Sequence, residues 1–137
     1  MIKVVLDTSI LISALGWKKG NPRKIFEGCL SSKYQLIESI DLIKEFLEVF
    51  QRDKFSFIAK EDKQEFITNL LKICYLIDPK TKINIIKEDT DDNIVLECAF
   101  EGKVNYIISG DPHLLKLKEF KGIKIVKPKE FLDIIGY

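Results

Sequence analysis

The stretch Ile2-Lys3-Val4-Val5-Leu6-Asp7-Thr8-Ser9-Ile10-Leu11-Ile12 restricts the fold more than any other part of the chain. It reads as a short, nearly all-apolar strand that ends in one carboxylate, Asp7, and passes at once into a second apolar run. A half-solvated strand would alternate apolar and polar residues. A strand apolar on both faces is buried on both, which makes it a central strand of a parallel sheet. An acid at its carboxyl end then lies where open α/β sheets bind ligands.

The remaining chain alternates strand and helix signals. Asn21-Pro22 resembles an N-cap with proline at the first helical position, opening a helix to about Leu30, and Tyr34 to Ile37 reads as a strand. Ser39 and Asp41 start a helix that runs to about Phe50, and Phe66, Ile67, Leu70, Leu71 and Cys74 form a helical stripe leading into Tyr75-Leu76-Ile77. Ile83 to Ile86 reads as a strand or an extended connector, and Asp89-Thr90-Asp91-Asp92 opens a helix that Glu101-Gly102 ends. Asn105 to Ser109 is a second buried strand, followed by a short helix from Pro112, a strand at Ile123 to Val126 and a helix entered through Pro128. This order predicts one domain over residues 1–137, a three-layer α/β/α sandwich around a central, mainly parallel sheet.

Composition excludes several classes. No run of about 18 apolar residues is present, so no membrane partner is expected, and no signal peptide is read, so the expected location is the cytoplasm. Cys29, Cys74 and Cys98 are odd in number, widely spaced and set among apolar residues, which fits reduced core thiols rather than disulfides or a zinc knuckle. The net charge of +1 supplies no global field for nucleic acid, so a polyanion must be met locally. Trp17, Lys18, Lys19, Arg23 and Lys24 offer such a patch for a phosphate backbone and a stacked base, or else form a solvated loop and helix start.

The acids carry the chemistry. Asp7 is either a turn or cap aspartate beside Thr8 and Ser9, or a functional strand-end acid. Asp111, before Pro112, has the same two readings. Among Asp89, Asp91 and Asp92, the last shares a helical row with Leu96 and Ala99, whereas Asn93, Glu97 and Glu101 form a polar row, so Asp92 is expected to face the sheet. Glu48 is matched by Arg52 four residues on, while Glu45 stands at the border of an apolar stripe that includes Leu42, Phe46 and Val49. Carboxylates converging above one sheet edge repel unless a cation neutralises them. Hard oxygen ligands without histidine or cysteine suit Mg²⁺ or Mn²⁺. The single histidine, His113, excludes catalysis by a histidine pair and reads as a polar residue at a helix start near Asp111, with a direct ligand role as the alternative.

Four segments in order resemble the PIN-domain family of metal-dependent nucleases, in particular the small prokaryotic VapC-like toxins. They are Leu6-Asp7-Thr8-Ser9-Ile10-Leu11, Leu42-Ile43-Lys44-Glu45-Phe46-Leu47, Asp91-Asp92-Asn93-Ile94-Val95-Leu96, and Ile107-Ile108-Ser109-Gly110-Asp111-Pro112-His113-Leu114. The resemblance implies catalytic, metal-holding Asp7, Glu45, Asp92 and Asp111, with Ser9 and Ser109 as supporting hydroxyls. It further implies an endoribonuclease that cleaves single-stranded RNA to 5′-phosphate and 3′-hydroxyl ends. A homodimer and a cognate antitoxin also follow from it. The chain departs from the family at His113, where another acid often stands. The alternative is a non-catalytic module that binds RNA or a protein partner.

Overall fold

A computed structural model describes residues 1–136, leaving Tyr137 of the 1–137 span outside the described residues. Lys3–Leu6 forms β1, and helix α1 (Thr8–Gly16) follows directly from it. Next come α2 (Asn21–Leu30), β2 (Gln35–Ser39), α3 (Ile40–Val49), a 3₁₀ turn at Asp53–Phe55, α4 (Lys60–Ile73) and β3 (Tyr75–Ile77). The second half holds α5 (Asp92–Glu101), β4 (Tyr106–Ile108), α6 (Pro112–Leu115), β5 (Glu119–Phe120), β6 (Ile123–Val126) and α7 (Pro128–Ile134).

The sheet has six strands in the order β3-β2-β1-β4-β6-β5. Every pairing is parallel except β5 with β6, and β1 lies in the interior as its composition predicts. Val4 and Leu6 point into a core shared with α1, α2, α3, α4 and α7, whereas Val5 points into a second core against α5 and α6. All three side chains are fully buried, and each contributes about 1.5–3 kcal/mol by leaving water. The result is the expected α/β/α sandwich, with most helices on one face.

Local chemistry explains the element ends. The Ser39 hydroxyl accepts the Leu42 N–H at 3.1 Å, capping α3 as its position suggested. At α2 the cap falls on Gly20, one residue before the expected Asn21, so Pro22 occupies the second helical position, where no intrahelical donor is needed. Burial pushes the Cys74 thiol up to about 11 and raises those of Cys29 and Cys98 further, consistent with inert core thiols.

Residues 83–86 form an extended connector rather than a strand, because its amides are bound by side chains of α5. Asn93 Oδ1 accepts from the Ile85 and Ile86 N–H groups at 3.0 and 2.9 Å, and its amide nitrogen donates to the Ile86 carbonyl at 2.8 Å. Glu97 accepts the Ile83 N–H at 3.0 Å, and Glu101 takes those of Lys80 and Thr81. The polar row of α5 therefore faces this connector, with Asn93 and Glu97 buried. Asn93→Ala strands the Ile86 groups, and chemical denaturation should show a loss of about 3 kcal/mol. A change below about 1 kcal/mol would mean that the connector is held by something other than this amide.

Candidate metal centre

The strand order determines where a site forms. From β1 the chain steps outward to β2 and β3, then returns to lay β4 on the other side of β1. Such a switch point leaves a crevice beyond the carboxyl ends of the two central strands. Asp7 follows β1 and Asp111 lies just beyond β4, whose Ile108 is in register with Leu6. A cavity of about 560 Å³ opens at this edge, and Asp7, Ser9, Glu45, Asp92 and Asp111 all line it.

Asp7 occupies the N-cap position of α1 but makes no side-chain capping bond. Its buried carboxylate instead accepts the Ser109 hydroxyl at 2.7 Å, and the same hydroxyl oxygen accepts the Asp111 N–H at 2.9 Å. Burial pushes the Asp7 carboxyl up to about 6, against the Ser109 hydrogen bond and with help from the charges of Glu45 and Asp111. Asp111 combines both of its readings. One oxygen caps α6 by accepting the His113 N–H at 2.8 Å, while the side chain still lines the cavity.

Glu45 is half-buried, and its Oε1 accepts the Thr8 hydroxyl across 37 residues of sequence. Burial raises its pKa, the Thr8 bond opposes that, and Asp91, Asp89 and Glu48 reinforce it. Asp92 is 8% exposed, faces inward as its helical row predicts, and leaves Oδ2 buried without a hydrogen-bond partner among the described residues. Burial, with the charges of Asp111, Asp89 and Asp7, pushes its carboxyl up to about 7. A buried carboxylate oxygen without a donor is costly. Mutually repelling acids with such an oxygen form a donor set that fits a hard divalent cation.

A model of the PIN domain matches residues 3–113, a span that contains all four acids. The chain belongs to the PIN-domain family. An uncharacterized protein of Methanocaldococcus jannaschii, MJ1680, is 30% identical over 142 residues, covering 96% of this chain and 90% of that protein. The crystal structure of VapBC2 from Rickettsia felis bound to a DNA fragment from their promoter contains a chain of the same fold. That chain superposes with a TM-score of 0.61 at 14% identity, over 90% of this PIN domain and 97% of its own length. No described helix is long and apolar enough to cross a membrane.

Two side chains of this PIN domain that support the acids escaped the sequence reading. Thr8 holds Glu45. Glu38, wholly buried on β2, accepts the Leu6 N–H through Oε2 at 3.2 Å, just where the β1–β2 ladder has ended, and its Oε1 finds no partner among the described residues. Burial raises the Glu38 pKa well above the usual carboxylate range, against the Leu6 hydrogen bond and with Asp7 adding to it. This carboxyl secures the strand end that carries Asp7.

The Trp17 patch is separate from the acids. Trp17 is 53% exposed and meets the exposed Phe57 edge to face, with ring centroids 5.8 Å apart. Lys18 faces Asp62 at 3.8 Å, and Lys19 is exposed. Arg23 is turned to the protein itself, donating to the Ala14 and Leu15 carbonyls at the end of α1 at 2.6 and 3.4 Å. Lys24 lies half-buried one position further along α2.

Proposed function

We propose that this PIN domain is a metal-dependent endoribonuclease that cuts single-stranded RNA, using Mg²⁺ or Mn²⁺, and serves as the toxin of a toxin–antitoxin pair. The observation that carries the reading is the convergence of Asp7, Glu45, Asp92 and Asp111, from four separate segments, on one cavity at the switch point. When bound there, a divalent cation neutralises the acids, activates water and stabilises an in-line displacement at phosphorus.

The protein's own residues prepare that chemistry. Asp7, oriented by Ser109, would hold the ion together with Asp92 and Asp111, which line the same cavity. Glu45, fixed by Thr8, is placed to hold a second ion or to orient the attacking water. Ser9 is exposed on the cavity wall, where a supporting hydroxyl meets substrate or solvent. Trp17 and Lys18 stand beyond the far end of α1, whose nine residues rise about 13 Å from the acids. A single strand running along α1 would stack on Trp17 while a phosphate sits at the acids.

The toxin role and a cognate antitoxin are supported by the VapC-like sequence segments and by the fold shared with a chain of VapBC2, and a homodimer by the resemblance of those segments alone. The test of the activity is incubation of metal-free protein with single-stranded RNA in Mg²⁺, Mn²⁺ or EDTA. Cleavage to 5′-phosphate ends is expected only with the ions. Equal cleavage in EDTA overturns the reading, and ion binding with no turnover of RNA or DNA points instead to a non-catalytic binding module.

A further inference from the structure

The geometry points to His113 as a metal ligand, completing with Asp92 and Asp111 a donor set that takes Mn²⁺ in preference to Mg²⁺. This rests on the proposed cation at the acidic cavity and goes beyond it by naming a nitrogen donor and the class of ion that follows. Among the described residues, Asp92, Asp111 and His113 are the group whose ligand atoms all lie within 4.8 Å of one another. His113 Nδ1 stands 3.6 Å from Asp92 Oδ2 and 3.6 Å from Asp111 Oδ1.

Those distances separate two readings. A ring nitrogen that merely hydrogen-bonds a carboxylate approaches to about 2.7–3.2 Å, and here neither carboxylate is that close. Donors around a six-coordinate ion with bonds of about 2.1 Å lie about 3 Å apart, so each carboxylate oxygen would approach the imidazole nitrogen by about 0.6 Å from its 3.6 Å. Asp92 supplies the independent observation. Its side chain is nine-tenths buried, and the unpartnered oxygen is the one nearest the imidazole.

Position and chemistry agree. The His113 N–H is held by Asp111 Oδ1, which fixes the residue at the cavity edge, and the ring is partly exposed and free to adjust. Imidazole nitrogen is a poor donor for Mg²⁺, which favours oxygen and retains its waters. Among divalent first-row ions affinity for such nitrogen sites is lowest at Mn²⁺ and rises from there, so a nitrogen donor moves the site away from Mg²⁺, with Mn²⁺ the carboxylate-compatible ion that gains. A chain with an acid at this position would lack that bias.

The chain has one histidine, so an untagged protein grown with ¹⁵N-histidine carries a single labelled ring. Mn²⁺ is added to the ¹⁴N and ¹⁵N forms of the full chain, and pulsed electron paramagnetic resonance reads nitrogen coupled to the ion. We expect a directly coordinated nitrogen whose signal changes isotope with the label, and its loss in His113→Asp. Calorimetric titration should show the preference for Mn²⁺ over Mg²⁺ falling at least about tenfold in that variant, within the range seen when metal-site partners are changed. Bound Mn²⁺ with no label-sensitive nitrogen overturns the role of His113 and leaves the acidic cation site standing. A wild-type protein that binds no Mn²⁺ overturns the inference and the proposed metal centre together.

Discussion

Asp7→Asn should lose RNA cleavage by at least about a hundredfold, close to 3 kcal/mol of barrier, and yet melt at a higher temperature than the metal-free parent at pH 8. The two effects share one cause. The carboxylate is buried, and its pKa is raised from 3.8 to about 6. Holding it ionised above that pH costs the fold about 3 kcal/mol. Asparagine removes the charge, and its amide oxygen still accepts the Ser109 hydroxyl, though a neutral acceptor forms the weaker bond. A net gain of about 1–3 kcal/mol remains, or about 4–10 °C for a domain of this size. A cap or packing role for Asp7 predicts the reverse: a less stable variant whose activity falls only as it unfolds. Calorimetry with an RNA cleavage assay on the same samples separates the two, and a destabilised, active variant would falsify the assignment of Asp7.

What was legible in the sequence was what short-range rules govern. Val4, Val5 and Leu6 are apolar on both faces, and their strand is interior to the sheet with Asp7 at its carboxyl end. The Glu48–Arg52 spacing gave an ion pair, at 2.9 Å, and the row Asp92-Leu96-Ala99 turned Asp92 inward. Other features depend on partners distant in sequence. The strand expected to end at Ile37 runs on to Ser39 and so takes in Glu38. That acid is wholly buried, its pKa raised by burial, and it takes over a backbone donor from the neighbouring strand, a partner 32 residues away in sequence. The row of Asn93, Glu97 and Glu101 had the right period and read as polar, but nothing local reveals the connector that it binds. Strand β5, two residues long, carries no periodic signal. At the site, the acids were visible one at a time, whereas Thr8 reaching Glu45 and His113 standing between two carboxylates exist only after folding.

The second large effect is an inversion of pH dependence by metal. In the metal-free protein Asp7 titrates at about 6 and Asp92 at about 7, both above the 3.8 of an unperturbed aspartate. The folded state therefore holds these protons more tightly than the unfolded chain. The stabilisation they bring is complete below about pH 4 and is lost as the pH rises through 6 and 7. Asp7 alone accounts for about 3 kcal/mol over that span, roughly half of it above pH 5. Glu38, raised well above its ordinary range by burial, acts in the same direction, because the unfolded chain releases that proton more readily than the fold does, and so it steepens the loss. Glu88 and Glu101 are shifted the other way, so their stabilisation is lost only as the pH falls below the ordinary carboxylate range, outside this window. A cation binds the ionised acids and competes with the protons. At a hundred times its dissociation constant it adds about 3 kcal/mol, in full at pH 8 and largely suppressed at pH 5. Melting curves at pH 5 and pH 8 should thus show the metal-free protein less stable at pH 8, with excess Mn²⁺ raising its melting temperature there and barely changing it at pH 5. Equal stabilisation by Mn²⁺ at both values would place the ion away from Asp7 and Asp92, and a metal-free stability that rises between them would mean these carboxylates are not the strained groups of the fold.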